Sequence, residues 1–325
     1  MKRLFHGDRS KLIEHGVIGA AGAGLACVTW WRMNGAATWI LYAYIAGSVI
    51  IGLTLYFTLS DYDQLLRRRL VLVLLGSGLF GAAALRDPLH GLFQIEGFFF
   101  DLLSGVFMAA VIHYLLAKIV GPLIFGRVWC GWACWTAMVL DQLPFKRSHG
   151  RLGSHWGSAR YVHFVLSFML VAGLWYGWAY KPGAGAMPAL FWFLLGNTLY
   201  LLLGVTLAFA LKDNRAFCKY LCPVAVPLKL SGRFALLKVK GKRQTECCND
   251  RVCEKVCPMD IRIVQYVQHG KRVLASECIL CQACISVCPE QALELSFGFD
   301  LGSNDQLHER GALANKSSIT GSQGA

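Results

Sequence analysis

The stretch Cys278-Ile279-Leu280-Cys281-Gln282-Ala283-Cys284-Ile285-Ser286-Val287-Cys288-Pro289 decides the fold of the C-terminal part of this chain. Its spacing, C-x2-C-x2-C-x3-C-P, is the run that holds [4Fe–4S] clusters in bacterial proteins. The fourth cysteine of such a run ligates the partner cluster of a two-cluster module. A structural zinc site would instead require two separated C-x2-C pairs. The stretch therefore predicts an iron–sulfur domain.

A second cysteine run precedes it and departs from the regular spacing at one position. Aligned on Cys257 and Pro258, the regular run places ligands at 247, 250, 253 and 257, and residue 250 is Asp250. We favour Cys248 as the replacement thiolate, since a carboxylate is a harder and weaker iron ligand. An oxygen ligand from Asp250 and an open [3Fe–4S] corner are the alternatives. The two runs together predict a small α+β domain of the two-cluster bacterial ferredoxin type.

Ligands of such paired runs cross between the two motifs. The predicted ligands of one cluster are Cys257, Cys278, Cys281 and Cys284. Those of the other are Cys253, Cys288, either Cys247 or Cys248, and the disputed ligand. Two clusters in one small domain carry electrons, and nothing in this segment provides a substrate pocket.

The composition of the whole chain is that of a membrane protein with a small soluble part. Its 325 residues are 55% hydrophobic and carry a net charge of +13, and the mean hydropathy is +0.46. Lysine and arginine gather between apolar segments, as in cytoplasmic loops, so nucleic-acid binding is not indicated. All 13 cysteines except Cys27 lie in short local motifs. That distribution favours metal ligation in a reducing compartment over disulfide formation.

Six apolar segments are candidates for transmembrane helices, which need about 20 apolar residues each. They are Leu12–Trp31, Ala36–Leu59, Leu70–Leu85, Phe98–Ile119, Tyr161–Tyr180 and Ala189–Leu211. Basic residues gather in alternate inter-span segments, and the positive-inside rule then places both chain ends in the cytoplasm. We therefore expect an α-helical protein of six spans in the inner membrane.

The predicted organisation has four parts. Residues 1–211 form the transmembrane domain, and residues 212–244 form a basic cytoplasmic connector. Residues 245–297 form the ferredoxin-type domain, with short strands at Arg272–Leu274 and Leu293–Phe297. Residues 298–325 are polar and have too little apolar surface to fold alone, so we expect a disordered tail.

Two further cysteine pairs flank the last two predicted spans on their cytoplasmic side. They are Cys130 with Cys134, and Cys218 with Cys222. A spacing of four places both sulfurs of a pair on one face of a helix. The four thiols are candidates for a metal, a third cluster or a redox dithiol, and the alternative is buried thiols that behave as small hydrophobes. Arg127 and Arg215 would lower the pKa of nearby thiols.

Few ionisable residues fall within the predicted spans. His113 and His163 are candidates for quinone contact or for hydrogen bonds between helices. Glu96 precedes the fourth span on the outer side, where we expect a solvated loop; relay of quinol protons is the alternative. The sequence has no Walker loop, no G-x-G-x-x-G after a strand, no G-x-S-x-G and no H-E-x-x-H. Hydrolase, kinase and nicotinamide-dependent activities are therefore unsupported.

The motifs GRVWCGWAC (126–134) and FCKYLCP (217–223), followed by the two cluster runs, resemble the NapH/NosR/CcoG group of membrane-bound polyferredoxins. The resemblance implies electron transfer between the quinone pool and a partner redox protein, with clusters facing the cytoplasm. Trp135 stands where the family usually has proline after the first pair. The flavin-binding domain of NosR and the immunoglobulin-like domain of CcoG have no counterpart here.

The leading hypothesis is thus a membrane electron-transfer subunit rather than a stand-alone enzyme. A second hypothesis is a metal reductase, in which electrons reach cupric or another ion at Cys130, Cys134, Cys218 and Cys222. A third is a redox sensor that changes a partner contact when a cluster is lost.

Overall fold

The computed structural model of the chain describes residues 43, 46–47, 50–52, 54, 64–86, 95–105, 111, 114–145, 150–179, 189–242, 247, 250–300 and 304–310. The predicted span Leu12–Trp31 and most of Ala36–Leu59 lie outside these residues, as do Cys248 and His113. The described part is mostly helical.

The N-terminal half of the described chain is built from helices of very different lengths. The first are α1 (Gln64–Arg86), α2 (Ile95–Ser104), α3 (Gly121–Phe125), α4 (Val128–Trp132) and α5 (Trp135–Leu140). A π-helical turn, Leu116–Val120, leads into α3. α6 (Ala159–Ala172) is preceded by a 3-10 turn, Ser154–Ser158, and continued by a π-helical turn, Gly173–Gly177; α7 is Ala189–Leu211.

Two helices in the described residues are long and apolar enough to cross a membrane. They are His155–Gly177, of 23 residues, and Phe193–Leu211, of 19 residues. They correspond to the fifth and sixth predicted spans. The third predicted span, Leu70–Leu85, falls within α1, whose first turns carry three arginines.

The fourth predicted span, Phe98–Ile119, is not one continuous helix. α2 ends at Ser104, and Gly105 has a φ of +68°, a left-handed conformation that glycine adopts without steric cost. The apolar run in the sequence hides this break because glycine is also common inside membrane helices.

The C-terminal half carries short helices and one two-stranded sheet among the described residues. Its elements are α8 (Ala216–Tyr220), α9 (Ala225–Gly232), β1 (Leu237–Gly241), α10 (Val252–Lys255), α11 (Ile263–Gln268), α12 (Ala283–Ser286) and β2 (Leu293–Phe297). β1 and β2 pair antiparallel, from Leu237 opposite Phe297 to Gly241 opposite Leu293.

One predicted strand is confirmed and the other is wrong. β2 matches the prediction, whereas Arg272–Leu274 is not a strand. There the Val273 N–H donates a hydrogen bond to the Val239 carbonyl at 2.8 Å. The partner of β2 is β1, which lies in the predicted connector. The lysines that alternate along β1 make its sequence resemble a basic linker.

Part of the predicted disordered tail is packed. Leu307 pairs with Ile261, and Glu309 pairs with Arg151. The Arg310 guanidinium donates to the carbonyls of Gly150, at 3.1 Å, and Leu211, at 2.5 Å. The prediction of disorder from residue 298 onward is therefore wrong for residues 304–310, because backbone pairing and charge hold a segment that has little apolar surface.

The largest of three hydrophobic clusters among the described residues spans both halves of the chain. Its centre is formed by Ile261, Ile263 and Tyr266 of the C-terminal half, and Cys130 and Leu228 from the helices of the first half and the connector belong to the same cluster. The cysteine module is thus packed directly on the helices rather than tethered by a linker.

Candidate metal centres

Four cysteines from the two runs line one small cavity. They are Cys257, Cys278, Cys281 and Cys284. Burial, together with the neighbouring thiols, raises the pKa of Cys284 well above its ordinary value, and burial raises that of Cys278 to about 11. Thiolates crowded into an apolar cavity need cations to offset their charge, and iron ions supply it. The donor set and its surroundings fit a [4Fe–4S] cluster.

A second cavity is lined by Cys247, Asp250, Cys253 and Cys288. Burial, and then the charges of Glu254, Cys247 and Cys288, raise the pKa of Cys253 to about 12. Three thiols and one carboxylate therefore surround this space, and this donor set also fits an iron–sulfur group. In both cavities, cysteines of one run meet a cysteine of the other, as the crossed ligation predicts.

The two runs have the same local backbone. Arg251 and Gln282, each just before a one-turn helix, have left-handed φ values of 59° and 60°. Counting from these residues, Asp250 occupies the position that Cys281 occupies in the other run. One Asp250 oxygen, Oδ1, accepts a hydrogen bond from the Val252 N–H at 3.0 Å.

The two span-end pairs also repeat one another, but neither pair lies within one helix. α4 ends at Trp132, and Cys134 is extended with a ψ of 119°. α8 ends at Tyr220, two residues before Cys222. The predicted placement on one helical face is therefore wrong. Instead, the N–H of each second cysteine turns back, that of Cys134 to the Trp129 carbonyl at 3.0 Å and that of Cys222 to the Phe217 carbonyl at 2.9 Å.

The structure brings the four span-end thiols together. Each lies within electrostatic range of others in the group, so that Cys222 interacts with Cys218, Cys130 and Cys134. The Lys118 ammonium interacts with the same group and stands 3.3 Å from the centre of the Trp129 ring.

Arg215 does not lower the pKa of the neighbouring Cys218 thiol overall, because burial outweighs its charge. Burial raises the pKa of Cys218 to about 11, although the Arg215 guanidinium, with Nη1 3.9 Å from the sulfur, acts in the opposite direction. Arg127 pairs with Glu277 and also lies within electrostatic range of Cys130 and Cys218.

No three His, Cys, Asp or Glu side chains among the described residues converge as a single metal ion requires. The two ferredoxin-type sets of ligands instead line small cavities, an arrangement that suits a multi-iron cluster.

The span-end cysteines and the first cluster cavity are in direct contact. A Cβ on Gly131 would lie 2.3 Å from the Ile279 carbonyl oxygen, so only glycine permits this approach. The Trp132 indole N–H donates to the Leu280 carbonyl at 2.9 Å. Residues 279 and 280 lie inside the C-x2-C loop, and Gly131 adjoins Cys130. The backbone of the first span-end pair therefore packs against the loop of the first cluster cavity.

A buried carboxylate beside this contact forms ion pairs with four basic side chains. Glu277 is fully buried, and its oxygens pair with Arg127 at 2.7 Å, Arg151 at 3.0 Å, Arg160 at 3.0 Å and Lys229 at 2.9 Å. Burial alone would raise the pKa of Glu277, but the cations outweigh it and hold the pKa well below its usual value. Since Glu277 precedes Cys278, the pairs fix the cluster loop to the helices.

A second buried node braces the first cysteine pair. Asp141 pairs with Arg215 at 2.7 Å and with Arg68 at 2.9 Å. The same two guanidiniums donate to the carbonyls of Cys130, at 3.0 Å, and Gly131, at 3.1 Å. The node thus holds the backbone of the first pair from two sides.

From the sequence, these basic residues are expected only to carry the positive charge of cytoplasmic loops. A third node, in which Lys219 pairs with Asp213 and Asp260 at 2.6 Å each, belongs to the same class. The partners stand up to 150 residues apart, as for Arg127 and Glu277. No local pattern in the sequence indicates such pairs.

Two half-buried ionisable residues, one in the fifth predicted span and one just before the fourth, make contacts with other segments. The His163 Nδ1 stands 2.7 Å from the Leu221 carbonyl oxygen. Glu96 is not in a solvated loop: it lies in the first turn of α2 and accepts hydrogen bonds from Ser167 and Tyr200. The expectation of an outer loop is therefore wrong, because α2 packs its N-terminal turn against the middle of α6 and α7.

Comparison with known families agrees with the cysteine geometry. A family model described as a 4Fe-4S binding domain matches residues 272–294. A second family model with the same description matches residues 102–147 and 188–243. The second match contains all four span-end cysteines.

Several proteins are similar to this chain over part of its length. An uncharacterized protein of Methanocaldococcus jannaschii is 30% identical over 62% of this chain and 78% of its own length. The ferredoxin-type protein NapH of Haemophilus influenzae is 27% identical over 54% of this chain, which spans 64% of that protein. The methylamine utilization ferredoxin-type protein MauN of Paracoccus denitrificans is 29% identical over 46% of this chain and 54% of its own length. No solved structure matches the chain.

The cavities and the family matches define a 4Fe–4S iron–sulfur protein that transfers electrons. Within that class, the chain belongs to the NapH-like family of ferredoxin-type proteins, and the resemblance seen in the sequence is confirmed.

Proposed function

We propose that the protein is a membrane-anchored subunit that passes electrons between the quinol/quinone pool and a partner redox protein. In this proposal it spans the inner membrane six times, with both termini and the cysteine module on the cytoplasmic side. The apolar helices support membrane anchoring, since only 17% and 22% of the residues in their most apolar segments are buried within the described structure. A core helix of a soluble protein would be mostly buried.

The single observation that carries the proposal is the contact between Gly131 and Ile279. It joins the cysteines at the membrane helices to the loop of the first cluster cavity without an intervening side chain. Electrons released near the helices would therefore have a packed route into the ferredoxin-type half. The Glu277 node supports a fixed rather than a swinging arrangement.

We assign two [4Fe–4S] clusters to the ferredoxin-type half, where they store and release single electrons when bound. The proposed ligands of the first are Cys257, Cys278, Cys281 and Cys284. Those of the second are Cys247, Cys253, Cys288 and a fourth group. The shared backbone of the two runs supports Asp250 as this fourth group, with Cys248 and an open corner as the alternatives.

We further propose that Cys130, Cys134, Cys218 and Cys222 hold a third metal centre. The electrostatic interactions among these thiols and the 4Fe-4S family match that contains them support a cluster at this position.

Anaerobic titration tests the leading proposal. The full chain is prepared in lipid nanodiscs, and its clusters are followed by EPR while a short-chain ubiquinol or menaquinol is added. Growth of the reduced-cluster signal, or its loss on adding the matching quinone to reduced protein, is the expected result. Clusters that exchange electrons with dithionite but with neither quinol nor quinone would overturn the proposal.

The four span-end thiols lie within electrostatic range of one another, and this proximity favours metal reduction as a second candidate function. Under it, reduced protein converts Cu(II) to Cu(I) in the absence of quinone, and the double variant Cys130→Ser/Cys218→Ser loses this reaction while retaining the EPR signals of both ferredoxin clusters. Reduced wild-type protein that leaves Cu(II) unchanged would exclude it.

A further inference from the structure

A cavity of about 550 Å³ lies between α2, α6 and α7. Its volume falls within the about 300–1,000 Å³ that is usual for small-molecule sites. Leucine, valine and phenylalanine side chains form most of its wall, and the polar side chains that line it are Glu96, His163, Ser167 and Tyr200. An apolar cavity with a few polar groups gathered at one part of its wall is the common form of a ligand site.

Glu96 has one satisfied and one unsatisfied oxygen. Its Oε1 accepts hydrogen bonds from the Ser167 hydroxyl at 2.7 Å and from the Tyr200 hydroxyl at 2.9 Å. Its Oε2 is buried and has no hydrogen-bond partner within the described residues. Leaving such an oxygen unpaired is costly, and a ligand that donates a hydrogen bond would remove the cost. Ionisable groups within a membrane bundle are functional candidates for this reason.

His163 supplies a second acceptor. Its Nδ1 lies 2.7 Å from the Leu221 carbonyl oxygen, which accepts but cannot donate. Nδ1 must therefore carry the proton, and the other nitrogen of a neutral ring is an acceptor. Because Leu221 adjoins Cys222, this histidine connects the cavity wall to the span-end cysteines.

The remainder of the wall suits a hydrocarbon chain. Leu166, Leu170 and Leu199 line the cavity and are 60%, 59% and 50% exposed on the outside of α6 and α7. Both helices are long and apolar enough to face lipid. A ligand with a long apolar tail thus has a continuous apolar path from the membrane to the polar groups.

We propose that this cavity is the binding site for the headgroup of a lipid-soluble quinol, with a ring hydroxyl donating to Oε2 of Glu96. The inference rests on the proposed quinol-linked function and adds the place and the recognition chemistry. A neutral ring that carries hydroxyls fits two acceptors, whereas the anionic headgroup of a fatty acid or phospholipid would meet the Glu96 carboxylate. His163 accepts from the second hydroxyl or orders the ring beside it.

Direct binding tests the site independently of electron transfer. Oxygen-free full-length protein in detergent is titrated with short-chain ubiquinol, and bound ligand is measured by equilibrium dialysis. Glu96→Gln replaces the acceptor by an amide and should weaken binding about tenfold, which corresponds to about 1.4 kcal/mol. Glu294→Gln, an exposed carboxyl on β2, is the matched control and should bind as the wild type does.

A second variant removes the space and leaves the polar groups in place. Gly196 lines the cavity, and Gly196→Leu fills part of it. It should also weaken ubiquinol binding about tenfold or more, while the iron content and EPR signals stay as in the wild type.

Wild-type affinity in both folded variants would overturn the assignment of this cavity. So would displacement of ubiquinol by a saturated phospholipid at equal concentration, since the cavity would then be an acyl-chain site. The proposed function is tested separately. If ubiquinol reduces the clusters of the wild-type protein, that function is supported even when ubiquinol binds at another site.

Discussion

Gly131 and Ile279 meet backbone to backbone, at a distance that excludes any side chain larger than hydrogen at residue 131. A Cβ at that residue would lie 2.3 Å from the Ile279 carbonyl oxygen. Gly131 adjoins Cys130 of the first span-end pair, and Ile279 lies between Cys278 and Cys281 of the first cluster cavity. Their contact is one place where the backbone of the helical half touches the first cluster loop.

Gly131→Ala should therefore separate these loops and destabilise the protein by about 1–3 kcal/mol, the usual cost of overpacking. A thermal melt of the anaerobic protein measures the loss, and the rate of cluster reduction by quinol should fall with it. Gly173→Ala is the control, because a Cβ there meets no atom within 4 Å. Equal melting temperatures for the two variants would contradict the expectation.

Glu277→Gln should be among the most damaging single substitutions in the described chain. It removes the one carboxylate shared by Arg127, Arg151, Arg160 and Lys229. Breaking a buried ion pair by removing one partner costs about 3–5 kcal/mol, because the remaining charges stay buried.

Limited proteolysis measures this effect, with cleavage expected between the helices and the cysteine module. Glu294→Gln makes the same chemical change at an exposed position and should leave the digestion pattern unaltered. A Glu277→Gln protein as resistant as the wild type would show that the cations need no counter-charge.

Asp141 should make stability depend on acid pH. Burial raises the pKa of Asp141, but Arg215 and Arg68 outweigh it and lower the pKa below its ordinary value. A lowered folded pKa means that the carboxylate stabilises fully above its unfolded pKa, about 3.9, and that the contribution is lost as the pH falls toward the folded value.

Asp141→Asn should accordingly lower the free energy of unfolding at pH 7 by about 3–5 kcal/mol. The difference from the wild type should shrink as the pH falls below about 4. Chemical denaturation across this pH range provides the measurement. Glu309→Gln, at an exposed carboxyl, should follow the wild-type curve throughout.

The fourth ligand of the second cluster can be identified by substitution. If Asp250 binds iron, Asp250→Ala should convert this cluster to the [3Fe–4S] form, visible by EPR and as one iron fewer per protein. Asp250→Cys should restore four irons, because the position matches Cys281 of the other run. Cys248→Ser should leave the count unchanged, and loss of an iron in that variant would assign the ligand to Cys248 instead.

The ligands of the two cluster cavities can be predicted from the sequence because most of them lie close together along the chain. Cys278, Cys281 and Cys284 of the first set stand within a few residues of one another, as do Cys247, Asp250 and Cys253 of the second. The crossing follows from Cys257 and Cys288 closing each run. The pairing of the two span-end motifs was likewise suggested by the alternation of basic segments. Local spacing did not predict their geometry, since α4 and α8 both end before the second cysteine.

Other features depend on contacts between distant segments, which no spacing encodes. Glu277 looked like an ordinary residue beside a cysteine, and β1 looked like part of a basic linker. Glu96 was placed in a loop because the apolar run after it resembled one continuous span. In each case the deciding partner lies in another helix or strand, and only the folded chain brings it near.

The Glu277 node also constrains how the protein is made. The last of its cations, Lys229, precedes the carboxylate by 48 residues, and domains generally fold in order of synthesis. During translation the four cations of the node are therefore synthesised before the carboxylate that neutralises them. Packing of the cysteine module on the helices is consequently a late event in biogenesis, completed only after residue 277 has left the ribosome.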